Sequence, residues 1–178
     1  MALAGAALLA LAALAAKLLS GPAAGIQLDS VAMRSLTSYG TFKTVQGDGS
    51  RALHVFLSTD CSYCRQVEPE LSKLENVTVF RHLLPGHTED GRDAAKKVWC
   101  STEPVQAWKE IAAGDRISTV ARSGDCDVGT LEKNRELAKR LGVTSTPAMI
   151  YESGHISTGL LSAAELTNML TKASIPTR

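Results

Sequence analysis

The sequence is poor in aromatic residues, with three Phe, three Tyr and two Trp in 178 positions, and it has no basic run longer than two residues. Nineteen Lys and Arg stand against eighteen Asp and Glu, a net charge of +1, so the electrostatic footprint of a nucleic-acid-binding protein is missing. Nucleic acid is therefore not an expected partner. There is no internal repeat, and no biased tract follows the N-terminus. With 44% hydrophobic and 21% charged residues the chain has the composition of one ordinary globular domain. A second C-x-x-C or a His pair is also absent, which leaves a four-ligand zinc site short of ligands; no metal and no cofactor is expected.

What is present begins with an apolar start. Met1 to Ala16 carry no charge, and Lys17 is followed by the small-residue stretch Leu18 to Gly25. The run falls short of the roughly 20 residues that span a bilayer comfortably, so residues 1–25 read as a signal peptide or an N-terminal membrane anchor. The missing basic residue before the run, and Lys17 after it, argue against export under the positive-inside rule. The cysteines argue for it more strongly. Residues 26–40 read as a short linker holding a weak amphipathic stretch, and residues 41–178 as the folded domain.

Within that domain Thr41 to Val45 alternates at a strand period, Gly47-Asp48-Gly49-Ser50 is a turn, and Ala52 to Leu57 is an apolar β-forming run. Val67, Leu71 and Leu74 then fall on one helical face, with Pro69 inside that helix and Asn76 beyond its end. Val77 to Leu84 alternates into another strand. Strand, helix and strand in so short a span make a βαβ unit with a right-handed crossover, which gives a mixed sheet. From about 88 to 142 only helical patterns appear, an inserted helical segment that includes Trp99, Cys100 and Trp108. Thr146 to Thr158 reads as a hairpin, and Ser162-Ala163-Ala164-Glu165 as the capping box of a closing helix. The fold class is α/β.

The chemistry centres on Cys61-Ser62-Tyr63-Cys64 at the entry of the first domain helix. The unsatisfied amide N–H groups and the dipole of a helix N-terminus favour a thiolate on Cys61, the expected nucleophile. Cys64, one turn inside, is the expected resolving thiol, with Ser62 and Tyr63 tuning the pair. A structural disulfide between these two cysteines is the bland alternative. Thr146-Pro147, a proline opening a strand, is expected to be a cis peptide beside Cys61. It would leave main-chain groups free to pair with an extended substrate segment. Read without the dithiol it is an ordinary turn proline.

Cys100 and Cys126 could join the dithiol in an all-cysteine zinc site or bond to each other. The absence of a second close pair favours a structural disulfide, worth roughly 3 to 4 kcal/mol on the chain-entropy model. Four cysteines so arranged fit an oxidising compartment. None of His54, His82, His87 and His155 is assigned to catalysis. Asp60 and Glu68 could modulate the dithiol, and Asp60 would oppose a Cys61 thiolate if its charge faced the sulfur.

The stretches Ser58 to Cys64, Val98-Trp99-Cys100, Asp125-Cys126-Asp127 and Leu141 to Ala148 together resemble the DsbC/DsbG family of periplasmic disulfide isomerases. The resemblance spans about residues 41 to 175. It implies a thioredoxin-like fold with a helical insertion, a Cys61 nucleophile and a Cys64 resolving thiol. It also implies Thr146-Pro147 as the cis-proline loop and a second disulfide in the insertion. The implied partners are misoxidised exported proteins and a membrane electron donor of the DsbD type. The family more often has Gly where Ser62 stands. Its isomerases also carry a dimerisation domain for which residues 25 to 39 are too short, so a monomer is favoured. The expected activity is thiol-disulfide exchange as a reductase or isomerase, with a net oxidase as the enzymatic rival. A non-catalytic envelope assembly module using the Thr146-Pro147 groove is the non-enzymatic one.

Overall fold

The computed structural model describes residues 27–37, 39–119, 121 and 126–173. The expected signal or anchor at residues 1–25 lies outside them. Among the described residues no helix is long and apolar enough to cross a membrane.

The chain order is α1 (Ser30–Leu36), β1 (Phe42–Gln46), β2 (Arg51–Ser58), α2 (Ser62–Leu71), β3 (Val77–Leu84), α3 (Glu89–Trp99), α4 (Pro104–Ala113), α5 (Gly129–Arg140), β4 (Ala148–Tyr151), β5 (Ile156–Thr158) and α6 (Ala163–Ala173). Among the described residues five strands form one mixed sheet in the order β1-β3-β2-β4-β5. β2 and β3 run parallel, with Arg51 beside Val77 and Ser58 beside Leu84, as the βαβ pattern requires. β1 lies antiparallel to β3, and β4 to both β2 and β5. The α/β class and the helical insertion read from the sequence are both present. The insertion's first helix starts earlier than its apolar pattern, because Thr88 caps it by accepting from the Gly91 N–H at 3.0 Å.

Strand alternation divides the core into two layers. Leu53, Val55, Leu57, Val77, Val79, Leu83, Met149 and Tyr151 pack on Cys64, Val67 and Leu71 of α2, Trp108 of α4, and Leu166 and Leu170 of α6. Phe56, Ala148 and Ile150 face the other way, onto Leu36 of α1 and Leu137 and Ala138 of α5. Residues 26–40, read as a linker, thus contribute a packed helix. Leu28, Ala32 and Leu36 recur at helical spacing, and Asp29 caps the start by accepting from the Val31 and Ala32 amides at 2.9 and 2.8 Å. Burying a leucine such as Leu36 contributes about 1.5 to 3 kcal/mol, which is why this segment stays on the domain.

One charge breaks the apolar alternation of β3. Arg81 occupies a core-facing position, and its guanidinium donates to Glu68 of α2 at 3.1 and 2.7 Å. The Trp108 indole N–H donates to the same carboxylate at 2.8 Å, and Arg81 also reaches the Thr44 hydroxyl at 3.1 Å. α2, β3, β1 and α4 are therefore joined through one buried polar network, which holds the helix carrying the dithiol in a fixed position.

Candidate active site

β2 ends at Ser58, Thr59 and Asp60 turn the chain, and Cys61 becomes the N-cap of α2. In the place a Ser or Asp side chain usually takes, the Cys61 sulfur accepts from the Cys64 N–H at 3.1 Å. Its thiol also points at the main chain of Thr146 and donates to that carbonyl at 3.2 Å. Thr146 arrives there because β4 runs antiparallel to β2, with Ala148 opposite Phe56. Thr146 and Pro147 therefore fall beside the end of β2. The Thr146-Pro147 bond is cis, and the Pro147 carbonyl accepts from Gly159 at 2.9 Å.

Cys61 and Cys64 are both free thiols in unequal surroundings: Cys61 is partly exposed, Cys64 wholly buried. Burial, with the adjacent Cys61 sulfur adding to it, pushes the Cys64 thiol up to about 12. A main-chain contact from Ser58 and the Thr146 side chain oppose that rise. Ser62 is exposed and Tyr63 stands 56% exposed beside the sulfur. An accessible sulfur backed by a buried one can form a bond to an incoming sulfur outside and have it broken from within.

The other singled-out residues lie elsewhere. Cys100, the C-cap of α3, is bonded to Cys126 ahead of α5, so neither sulfur approaches the dithiol as a ligand. The Trp99 indole donates to the Asp127 carbonyl at 3.0 Å alongside that bridge. Glu68 directs its carboxylate to Arg81 and Trp108. His54 and His82 are buried and meet each other, Nδ1 to Nε2 at 2.9 Å, each stacked on a phenylalanine. Among the described residues no three His, Cys, Asp or Glu side chains gather where they could hold a metal ion.

Sequence reasoning missed the contact between the dithiol loop and α3. Asp60 accepts at Oδ2 from the Thr88 N–H at 2.9 Å and from the His87 N–H, and at Oδ1 from the Thr88 hydroxyl at 3.1 Å. Burial opposes the charge, but the Thr88 and His87 donors outweigh it and hold Asp60 below the usual carboxylate range. The Thr59 hydroxyl donates to the Gly91 carbonyl at 2.7 Å, and Arg65 donates to the Thr59 carbonyl at 2.9 Å. The available signal was Thr88-Glu89-Asp90, a capping residue followed by acidic side chains just after β3.

A parallel βαβ core extended by an antiparallel hairpin, with a C-x-x-C capping its crossover helix and the Thr146 carbonyl of a cis Thr-Pro facing the first sulfur, defines a thioredoxin-fold dithiol protein. The chain belongs to the thioredoxin-like domain family, whose model matches residues 40–174. A probable thiol:disulfide interchange protein DsbC of Bordetella parapertussis is 33% identical over 141 residues, 79% of this chain and 49% of that protein. The thiol:disulfide interchange protein DsbC of Escherichia coli is 25% identical over 120 residues, 65% of this chain and 49% of that one. The chain thus spans about half the length of these relatives. A crystal structure of a disulfide interchange protein from Neisseria gonorrhoeae superposes with a TM-score of 0.65 at 24% identity, covering 76% of this chain and 96% of that one.

Proposed function

We propose that this protein is a thiol-disulfide oxidoreductase acting as a reductase or isomerase on disulfides of exported proteins. The observation that carries the reading is the Cys61 sulfur, held between the Cys64 N–H and the Thr146 carbonyl with a buried free thiol behind it. The Cys61 thiolate attacks one sulfur of a substrate disulfide; that S–S bond breaks, and one substrate thiolate leaves as the mixed disulfide forms. Cys64 then attacks the Cys61 sulfur, and its proton passes to the second substrate sulfur, which leaves as a thiol. The substrate gains two electrons, and Cys61 and Cys64 are left as a disulfide. If a substrate thiolate attacks the mixed disulfide instead, the substrate leaves isomerised and the dithiol is unchanged.

Two features support this division of labour. Cys64 is protonated at neutral pH in its buried place, which leaves the accessible sulfur to make first contact. Thr146, next to Pro147, lies against that sulfur, where an extended substrate segment could pair with its main chain. Ser62 and Tyr63 flank the approach and tune the pair. Cys100 and Cys126 serve as a structural bridge in the insertion.

The proposed compartment is the periplasm, which supplies oxidised substrates. A similar solved structure described as a periplasmic thioredoxin-like protein, and the closed Cys100–Cys126 disulfide, support that placement. Net reduction needs an electron source, and a DsbD-type membrane donor is the proposed one. The N-terminal segment would act as export signal or anchor.

Insulin reduction in dithiothreitol tests the activity. The wild-type protein should accelerate precipitation of the insulin B chain and Cys61→Ser should not. Equal activity in the two would overturn the proposal.

A further inference from the structure

The residue ahead of the candidate nucleophile is an aspartate, a poor neighbour for a thiolate if its charge acts on the sulfur directly. Its carboxylate is instead committed to the start of α3. It takes the His87 and Thr88 amides and the Thr88 hydroxyl, at a helix N-terminus where negative charge is stabilised. The fit leaves no slack: a Cβ on Gly91 would lie 1.6 Å from Asp60 Oδ1. Thr59 is tied at both ends, its hydroxyl to Gly91 and its carbonyl to Arg65, and the Cys61 N–H donates to the Ser58 carbonyl at 3.2 Å. The path from the end of β2 to Cys61 is thus fastened to the helical insertion at consecutive residues. Both contacts of the sulfur, to the Cys64 N–H at 3.1 Å and the Thr146 carbonyl at 3.2 Å, depend on where that path sets the Cys61 main chain.

We infer that Asp60 is a positioning residue for Cys61: its carboxylate clasps the α3 N-terminus and so sets the Cys61 sulfur against its two main-chain contacts. The inference rests on reading Cys61 as the nucleophile. It assigns Asp60 an effect opposite in sign to a bare neighbouring charge. Loss of the clasp lets the sulfur drift from the Cys64 N–H, the contact that favours a thiolate, and this outweighs the release of its contact to the Thr146 carbonyl, which favours the thiol. Loss of charge with the clasp kept changes little.

The test is the rate of alkylation of Cys61 by iodoacetamide as a function of pH, in a Cys64→Ser background. It is read for the otherwise unchanged chain and for Asp60→Ala, Asp60→Asn and Thr88→Val, each checked for folding by thermal unfolding. Asn keeps an oxygen for the two amides, whereas Thr88→Val loosens the clasp and leaves the Asp60 charge in place. The Ala and Val variants should move the alkylation midpoint upward by about half a pH unit, roughly a threefold loss of thiolate below the midpoint, with Asn close to the parent. If Ala and Asn both move it downward together, Asp60 acts by charge and the inference is overturned. An unmoved midpoint in all three overturns it as well. If Asp60→Ala does not fold, the Asn and Val variants decide alone. Alkylation reads Cys61 itself without turnover, so an absence of exchange activity would leave this result standing, and the reverse.

Discussion

Glu68 and Arg81 meet in a two-pronged ion pair, with N–O distances of 3.1 and 2.7 Å and both side chains almost wholly shielded from water. Such a pair adds less stability than its distances suggest, because removing two charges from water costs nearly what their attraction returns. Removing one partner is another matter, since the other charge stays buried alone. Glu68→Ala should lower the unfolding free energy by about 3 to 5 kcal/mol in urea denaturation. A loss below about 1 kcal/mol would mean that water reaches Arg81 and that the network is looser than the structure shows.

His54 and His82 give the fold an acid-sensitive point. Burial pushes His54 down to about 4, and burial together with the neighbouring His54 pushes His82 down to about 3. Both stay neutral in the folded state, while the unfolded chain takes up protons near pH 6.5. Their stabilising contribution is therefore complete above pH 6.5. It is lost as the pH falls toward 4, by up to about 1.4 kcal/mol per pH unit for each histidine. Urea denaturation at pH 7.5, 6.0 and 5.0 should show that decline, and a His54→Leu/His82→Leu variant should show a flatter one. Parallel pH profiles for the two proteins would remove the histidines as its cause.

Gly91→Ala probes the contact between α3 and the dithiol loop from the other side. The new methyl group has no room beside Asp60, so the carboxylate or the helix must shift. The expected loss is about 1 to 3 kcal/mol, the usual cost of overpacking a tight site. Thermal unfolding measures it, and an unchanged midpoint would show that the loop gives way freely.

The bridge between Cys100 and Cys126 spans 26 positions and ties the end of α3 to the start of α5. A Cys100→Ser/Cys126→Ser variant should lose roughly 3 to 4 kcal/mol of stability yet still reduce insulin at a temperature where it is folded. Loss of insulin reduction by the folded variant would give this bridge a part in the chemistry.

Much of the fold was legible because its signals are local. The alternation in Val77 to Leu84, the turn at Gly47 to Ser50 and the helical spacing of Val67 and Leu71 each need only a few neighbouring residues. The dithiol and Pro147 were legible for the same reason, as a short motif and a proline at a strand's start. Asp60 reads in sequence as a charge next to a cysteine, and only the packing of α3 against the β2 end, through Gly91, turns its carboxylate elsewhere. Glu68 looked like a modulator of the dithiol until Arg81 and Trp108 arrived from β3 and α4 to take it up. His54 and His82 come from parallel neighbouring strands, and the register that joins them is written in neither strand alone. Helix α1 was faint because it is only seven residues long and leaves Val31 exposed on its outer side; its apolar face gains meaning only against α5 and the sheet.

Trapping a substrate on the Cys64→Ser variant tests the central claim most directly, because it asks which sulfur makes first contact and with what. Expressed with its own N-terminal segment and acid-quenched, the variant should carry exported proteins in mixed disulfides through Cys61, seen by mass spectrometry of the cross-linked peptides. Cys61→Ser should carry none. Adducts formed through Cys64 on the Cys61→Ser variant, or exchange activity that survives replacement of both cysteines by serine, would contradict the account.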